Sequence, residues 1–551
     1  MNISSKQSSS NKTLRIAIAQ MNLLVGDIEG NAKHILEWIL RARDENQADI
    51  VIFPELALTG YPPDDLLLRP GMYERINSAL EKLSHEVCGI TALVGFPEKT
   101  DAGVYNAIAV LEKGGCTTVA RKKHLPNYRV FDEKRYFISS DDSCVFTVNN
   151  VPLGICICED IWYSEPVKQA VEAGAKLILN INASPFHGQK THEREEVVSK
   201  RAKEVNTPIV YANMVGGQDE LVFDGQSFVV NADGELSHRF KAFEETLEVI
   251  DFDVEQLKPL ASSISPVLSE EESVYQALVT GVRDYVSKNG FSGVVIGLSG
   301  GIDSALTLSI AVDALGANKV EAVMMPSCYT LDMSVEDAKA QAELLGVNFK
   351  IIPIEKPFNI FLELLADEFS GTEVDSTEEN IQARCRGLLL MAISNKKGKM
   401  VLTTGNKSEM AVGYATLYGD MAGGYNALKD VKKTLVFRLA KYRNTLSANI
   451  PQRVIDRPPS AELAADQKDT DSLPEYKILD QILENYVEND MGLEDIVSLG
   501  FDRETVRRVL RLVDVNEYKR RQAAPGVRIT ERAFGRDRRY PITSGYGRSR
   551  K

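Results

Sequence analysis

Long apolar runs are missing from this 551-residue chain: no stretch of eighteen consecutive apolar residues occurs, so no membrane-spanning helix is expected. Residues 1–12 (MNISSKQSSSNK) lack the apolar segment of a secretory signal and read as a polar, disordered tail. Cysteine is scarce. The seven residues are scattered, with no CxxC pair, which excludes a disulfide framework and the usual zinc spacings and suits a reducing, cytoplasmic setting. Positive charge is also short: the net charge of −14 argues against a general nucleic-acid binder. The exception is local, since residues from Glu517 onward hold eleven Lys or Arg against three Asp or Glu. What is present is ordinary soluble-protein stock, 44% hydrophobic and 26% charged, in a chain too long for one core. Two or more domains follow.

The most informative stretch is Val294-Val-Ile-Gly-Leu-Ser-Gly-Gly-Ile-Asp-Ser304. Its β-branched start reads as a buried parallel strand, and Ala305–Leu315 carries helical apolar spacing. The small residues Ser299-Gly300-Gly301 between them let free N–H groups and a helix N-terminus face an anion, most often phosphate. The loop is neither GxxxxGK[ST] nor GxGxxG.

From Leu14 to about Phe252, short β-runs alternate with amphipathic helices. Expected strands are Arg15–Gln20, Ile50–Phe53, Ala92–Gly95, Ala107–Leu111, Gly154–Cys158, Leu177–Ile181 and Ile209–Ala212. Asn31–Arg43 has one apolar face, as a covering helix should. Glu55, Lys122 and Cys158 stand at or near strand ends. A glutamate, a lysine and a cysteine can perform nucleophilic chemistry without histidine: Glu55 takes the thiol proton, and Lys122 with the Glu159 N–H holds the oxyanion. Each also has a structural explanation, and strand alternation puts Cys156 and Cys158 on one side, so periodicity does not choose between them.

Three segments decide it by likeness. Phe53-Pro-Glu-Leu-Ala-Leu-Thr-Gly-Tyr61, Lys122-Lys-His-Leu-Pro-Asn-Tyr128 with Phe131-Asp-Glu-Lys-Arg-Tyr-Phe137, and Ile157-Cys-Glu-Asp-Ile-Trp162 resemble the signatures of the nitrilase, or carbon–nitrogen hydrolase, superfamily. The resemblance implies an αββα sandwich over residues 13–257, with catalytic Glu55, Lys122 and Cys158 and a supporting Glu133. The YPPDDLLL and LPNY runs resemble more narrowly the glutaminase domain of glutamine-dependent NAD synthetases, which implies glutamine contacts from Tyr128, Ser184 and Lys190. Arg129 departs from that pattern, which has glycine after LPNY.

Lys258–Ser269 is a Pro/Ser-rich break, expected as a linker, and residues 270–551 form the second domain. Glu270–Asn289, Val335–Leu345 and Thr377–Ser394 read as helices; Val320–Met325, Phe349–Ile354 and Met400–Thr404 read as strands. This alternation implies a doubly wound parallel α/β sheet with ligands at the carboxyl ends of its strands. SGGxDS resembles the pyrophosphatase-type loop of adenylating enzymes, and the likeness extends to the synthetase domain of NAD synthetases. It implies ATP contacts from Gly297, Leu298, Ser299, Gly300, Gly301, Ile302, Asp303, Ser304 and Thr404, and magnesium on Asp303 and Glu409. It also implies deamido-NAD contacts from Asn380, Glu409 and Lys519, and a mobile loop at Tyr418–Asn426 and Lys429-Asp430.

The likeness covers nearly the whole chain. The implied substrates are glutamine, ATP and deamido-NAD, with Mg2+ as cofactor and a homo-oligomer, at least a dimer, as the assembly. Other glutamine-dependent ligases, such as GMP or asparagine synthetases, pair the adenylating loop with different glutaminase folds. A hydrolase that merely binds nucleotide leaves Asp303, Glu409 and Lys519 without purpose, and an RNA-binding scaffold conflicts with the charge.

Overall fold

The computed structural model describes residues 13–464, 469 and 473–546; the expected N-terminal tail and Arg548–Lys551 lie outside them. The chain divides into two compact units, Met1–Gln218 with Phe223–Leu268, and Asp219–Val222 with Ser269–Lys551.

In the first unit, a six-stranded sheet runs in the order Thr246–Asp253, Thr13–Gln20, Ile50–Ile52, Thr91–Lys99, Val104–Glu112, Gly115–Arg121. A seven-stranded sheet runs Ser263–Ile264, Leu236–Arg239, Phe228–Val230, Ile209–Asn213, Leu177–Asn182, Val151–Ile157, Cys144–Val148. Alternation along the strands sorts side chains into three layers. Ile16, Ile18, Leu93 and Ile108 meet Leu153, Ile155, Leu179 and Val210 between the sheets. Ala17, Val51 and Val94 face the helices Ile28–Asp44 and Pro70–Glu86 through Ile35, Ile39 and Ile76. Cys156, Ile178 and Tyr211 face the helices Ser164–Glu172 and Lys190–Val205 through Val167 and Val198. This is an αββα sandwich. Each large aliphatic residue so buried contributes roughly 1.5–3 kcal/mol, and the central strands, covered on both faces, have the unbroken apolar character seen in the sequence.

The stretch 258–269 is not a free linker. Ser263–Ile264 pairs in parallel with Leu236–Arg239, and the Ser265 N–H donates to the Arg239 carbonyl at 2.9 Å. Ser269 then caps the helix Glu270–Lys288 by accepting from the Glu272 N–H.

The second unit holds a five-stranded sheet in the order Asn348–Ile351, Val320–Met324, Val294–Gly297, Met400–Thr403, Tyr425–Asn426, all parallel. The order reverses between Val294–Gly297 and Met400–Thr403, and in such a sheet ligands bind at that reversal. Val295, Val323 and Val401 pack on Phe358, Ile381 and Cys385 from the helices Glu355–Leu364 and Ser376–Lys397. A separate apolar cluster joins Ala411 and Val412 to Leu479, Ile482, Val506, Val509, Leu510 and Phe534.

Candidate functional sites

In the first unit, Glu55, Lys122 and Cys158 follow the strands Ile50–Ile52, Gly115–Arg121 and Val151–Ile157, which brings them together at strand ends. Lys122 Nζ donates to Glu55 Oε1 at 2.7 Å and to Glu133 Oε1 at 2.9 Å. Glu55 and Lys122 are fully buried. Tyr61 Oη donates to Glu133 at 2.9 Å. Burial opposes the charge on Lys122, but Glu133 and Glu55 outweigh it and lift its pKa well above the ordinary lysine value. Burial, with Lys122 opposing, lifts the Glu133 carboxyl above the usual carboxylate range.

Cys158 is set apart from Cys156 by its backbone. Its φ is 47°, a left-handed value that non-glycine residues seldom adopt, and the chain turns there into a 3-10 helix. Alternation ends at that residue, so Cys158 joins the layer between the sheets while Cys156 stays under the outer helices. Burial, then Glu55, pushes the Cys158 thiol well above its ordinary value, with Lys122 opposing. The Glu55 carboxylate is thus among the groups that act on the thiol.

The polar groups around it carry opposite signs. Lys190 lies 4.1 Å over the Trp162 ring and 3.1 Å from Glu193, its pKa lowered by burial and by Arg194. Tyr128 Oη donates to both Glu159 carboxylate oxygens at 3.1 Å. Ser184 Oγ accepts from Arg194 Nε at 3.1 Å, and Arg194 is itself paired with Asp224 at 2.8 Å. Arg129 has φ 52°, the region in which glycine is free of strain.

In the second unit, the loop after Val294–Gly297 is organised by its serines. Ser304 Oγ lies 3.0 Å from Ser299 Oγ and donates to the Gly301 carbonyl at 3.0 Å, while the Gly301 N–H donates to Ser299 Oγ at 3.2 Å. Gly300 has φ 80°, and a Cβ there would stand 2.3 Å from the Ser334 carbonyl. Two of the expected contacts sit differently. Leu298 is buried and its N–H donates to the Val323 carbonyl at 3.0 Å, and the Ile302 side chain is in the core. A ligand would meet this loop through Ser299, Gly300, Gly301, Asp303 and Ser304.

Asp303 and Glu409 converge on one cation: Lys433 Nζ is 2.5 Å from Asp303 Oδ2 and 3.0 Å from Glu409 Oε1, and Asn406 donates to Asp303 Oδ1 at 2.8 Å. Two carboxylates already sharing one cation fit a hard divalent ion. Burial, then Glu409's neighbour Asp303 against the pull of Lys433, raises the Glu409 carboxyl. Thr403, Gly405, Glu409, Asp420 and Asn426 line a cleft at the sheet's carboxyl edge; Thr404 is beside it but not among the lining residues.

The residues expected at the dinucleotide grip one loop from two sides. Asn380 Oδ1 accepts from Thr416 Oγ at 2.7 Å, and Lys519 Nζ donates to the Gly413 and Ala415 carbonyls at 2.8 and 2.9 Å. The expected mobile segment is anchored in its second half: Tyr425–Asn426 is a strand, and Asp430 is buried against Lys407 at 2.8 Å. The basic tail is folded too. Arg520 and Arg538 each pair with Glu517 at 2.9 Å, and Arg528 with Asp537 at 2.7 Å, all buried. Lys433, Asn406, Asn106, Tyr61 and the Arg194–Asp224 pair escaped the sequence reading; a lone Lys or Asn in an apolar segment is a weak signal for a site.

Comparison with known proteins agrees with this geometry. The Carbon-nitrogen hydrolase family matches residues 15–262 and the NAD synthase family residues 274–523. The glutamine-dependent NAD(+) synthetase of Acinetobacter baylyi is 52% identical, over 97% of this chain and 99% of that one. The enzyme of the same name from Thermotoga maritima is 45% identical, over 97% and 99%. The solved structure of glutamine-dependent NAD+ synthetase from Acinetobacter baumannii, in complex with ADP, superposes with a TM-score of 0.80 at 48% identity, covering 97% of this chain and 99% of that one.

Proposed function

Because the chain belongs to the glutamine-dependent NAD(+) synthetases, we propose that the two clusters described above are its glutaminase and synthetase sites. The overall reaction converts glutamine, ATP, deamido-NAD and water to glutamate, AMP, pyrophosphate and NAD.

In the first site, Glu55 takes the proton of the neutral Cys158 thiol as sulfur attacks the glutamine side-chain amide. Lys122, held charged between Glu55 and Glu133, and the Glu159 N–H stabilise the oxyanion. Ammonia leaves with a proton returned from Glu55, and water then hydrolyses the glutamyl thioester. Lys190 and Glu159 offer opposite charges to the carboxylate and ammonium of the substrate, with Tyr128 and Ser184 beside them. The observation that carries this reading is the buried Glu55–Lys122–Glu133 chain beside Cys158.

In the second site, the nicotinate carboxylate attacks the α-phosphorus of ATP, forming an adenylate and releasing pyrophosphate. Carboxylate oxygen is a poor leaving group, whereas AMP departs readily when ammonia adds. Ser299, Ser304 and the Gly300–Gly301 amides would cradle the pyrophosphate. Asp303 and Glu409 would hold Mg2+, which when bound offsets charge on the phosphates. Thr404 would approach ATP, and Asn380 and Lys519 would set the loop that meets deamido-NAD. The family reading further implies a cytoplasmic enzyme and a homo-oligomer, at least a dimer.

The decisive test follows NAD and AMP by chromatography with glutamine or ammonium as donor. Cys158→Ala is expected to abolish NAD formation from glutamine and to retain it from ammonium. Glutamine-driven NAD from this variant would remove Cys158 from its role.

A further inference from the structure

Glu55 has three donors, and the mechanism above uses only one of them. Oε1 accepts from Lys122 Nζ at 2.7 Å and from Asn106 Nδ2 at 2.7 Å; Oε2 accepts from the Ala183 N–H at 2.9 Å. Asn106 lies in the strand Val104–Glu112, fully buried, next to the apolar run Ala107–Leu111. Its Oδ1 is buried with no hydrogen-bond partner. An apolar side chain would occupy the strand position without that unsatisfied acceptor. Turning the amide over would set Oδ1 against the carboxylate. The N–H toward Glu55 is therefore what the amide supplies. The carbonyl of the same residue accepts from the Lys122 N–H at 2.8 Å, so Asn106 fixes both members of the Glu55–Lys122 pair.

We propose that Asn106 is a positioning residue for glutamine hydrolysis: with the Ala183 N–H on the opposite oxygen, it holds the Glu55 carboxylate oriented to receive the Cys158 proton. This rests on Glu55 as the base of the glutaminase site. The charged and titratable groups that act on Glu55 and its neighbours are Lys122, Glu133, Cys158, Glu159 and Tyr61. Lys122, which donates to Glu55, is shared with Glu133, so Asn106 and the Ala183 N–H carry the rest of the work of orienting the carboxylate. Without the Asn106 donor, the Glu55 carboxylate is free to turn away from the geometry that receives the thiol proton.

The test uses the full chain and compares Asn106→Leu, which fills the strand position without a polar atom, with Asn106→Ser, which restores a donor. Glutaminase kcat and KM are measured, with thermal unfolding of each variant alongside. The expected result for leucine is a kcat lowered about tenfold or more, as for loss of a hydrogen bond to a charged group. KM for glutamine and the unfolding temperature are unchanged. Serine recovers part of kcat. Asn106→Ala gives the same measurement should leucine disturb the strand. A wild-type kcat, a kcat that serine does not recover, or a loss confined to KM overturns the proposal. Cys158→Ala run in parallel separates the two ideas: glutamine hydrolysis by that variant would overturn the reading of the site itself.

Discussion

Single residues show where chemistry departs from local pattern. Likeness chooses Cys158 over Cys156 as the nucleophile, whereas strand alternation alone leaves the two equal. The distinction rests on one left-handed φ, which no periodicity encodes. Arg129 is the converse case. Its identity stood out from the sequence, and its φ of 52° supplies the physical reason for glycine at that place. A non-glycine residue in this region costs roughly 1–2 kcal/mol, and a β-branched one more. Arg129→Gly is therefore expected to leave thermal stability equal or higher, while Arg129→Ile lowers it by about 1 kcal/mol or more. A calorimetric ranking with isoleucine at or above glycine would contradict this. Lys433 and Asn106 were illegible for another reason: each acts through partners far away in the chain, Asp303 and Glu55, and neither spacing nor composition links them.

Elements were legible where burial imposes a clear period. The continuous apolar strands Leu177–Asn182 and Ile209–Asn213 and the helix Ile28–Asp44 match the sequence expectations to within a few residues. The strand Cys144–Val148, with exposed positions, escaped, and Gly115–Arg121 was legible only as a β-run before Lys122, because their residues face less of the core and their pattern is blurred. The stretch 258–269 looked like a linker since two paired residues at a sheet edge leave no periodic trace. The loop Gly297–Ser304 was legible as a glycine turn between strand and helix, although Leu298 and Ile302 turn into the core. Its most constrained position is Gly300, where a Cβ would meet main chain. Gly300→Ala is expected to lower NAD synthesis from both donors by roughly 10²-fold, the cost of an ångström-scale displacement of reacting groups, while glutamine hydrolysis persists. Intact ammonium-driven synthesis in this variant would mean that the loop does not contact the nucleotide.

Across the whole molecule, net charge and local charge gave opposite signals. Among the described residues after Glu517, Arg520, Arg528 and Arg538 are buried against Glu517 and Asp537, and Thr530 bonds Asp430. Breaking a buried pair costs about 3–5 kcal/mol, and truncation before Glu517 breaks several at once. The shortened chain is expected to lose the unfolding transition of its second unit and all NAD synthesis. A truncated protein with an unchanged calorimetric trace would show the tail to be dispensable.

The left-handed turn at Cys158 places its side chain in the layer between the sheets, and that has a bearing on which thiols bulk solvent reaches. Cys88, Cys116 and Cys328 are exposed, whereas Cys158 is buried. A thiol reagent arriving from solution therefore meets those three cysteines before it meets Cys158.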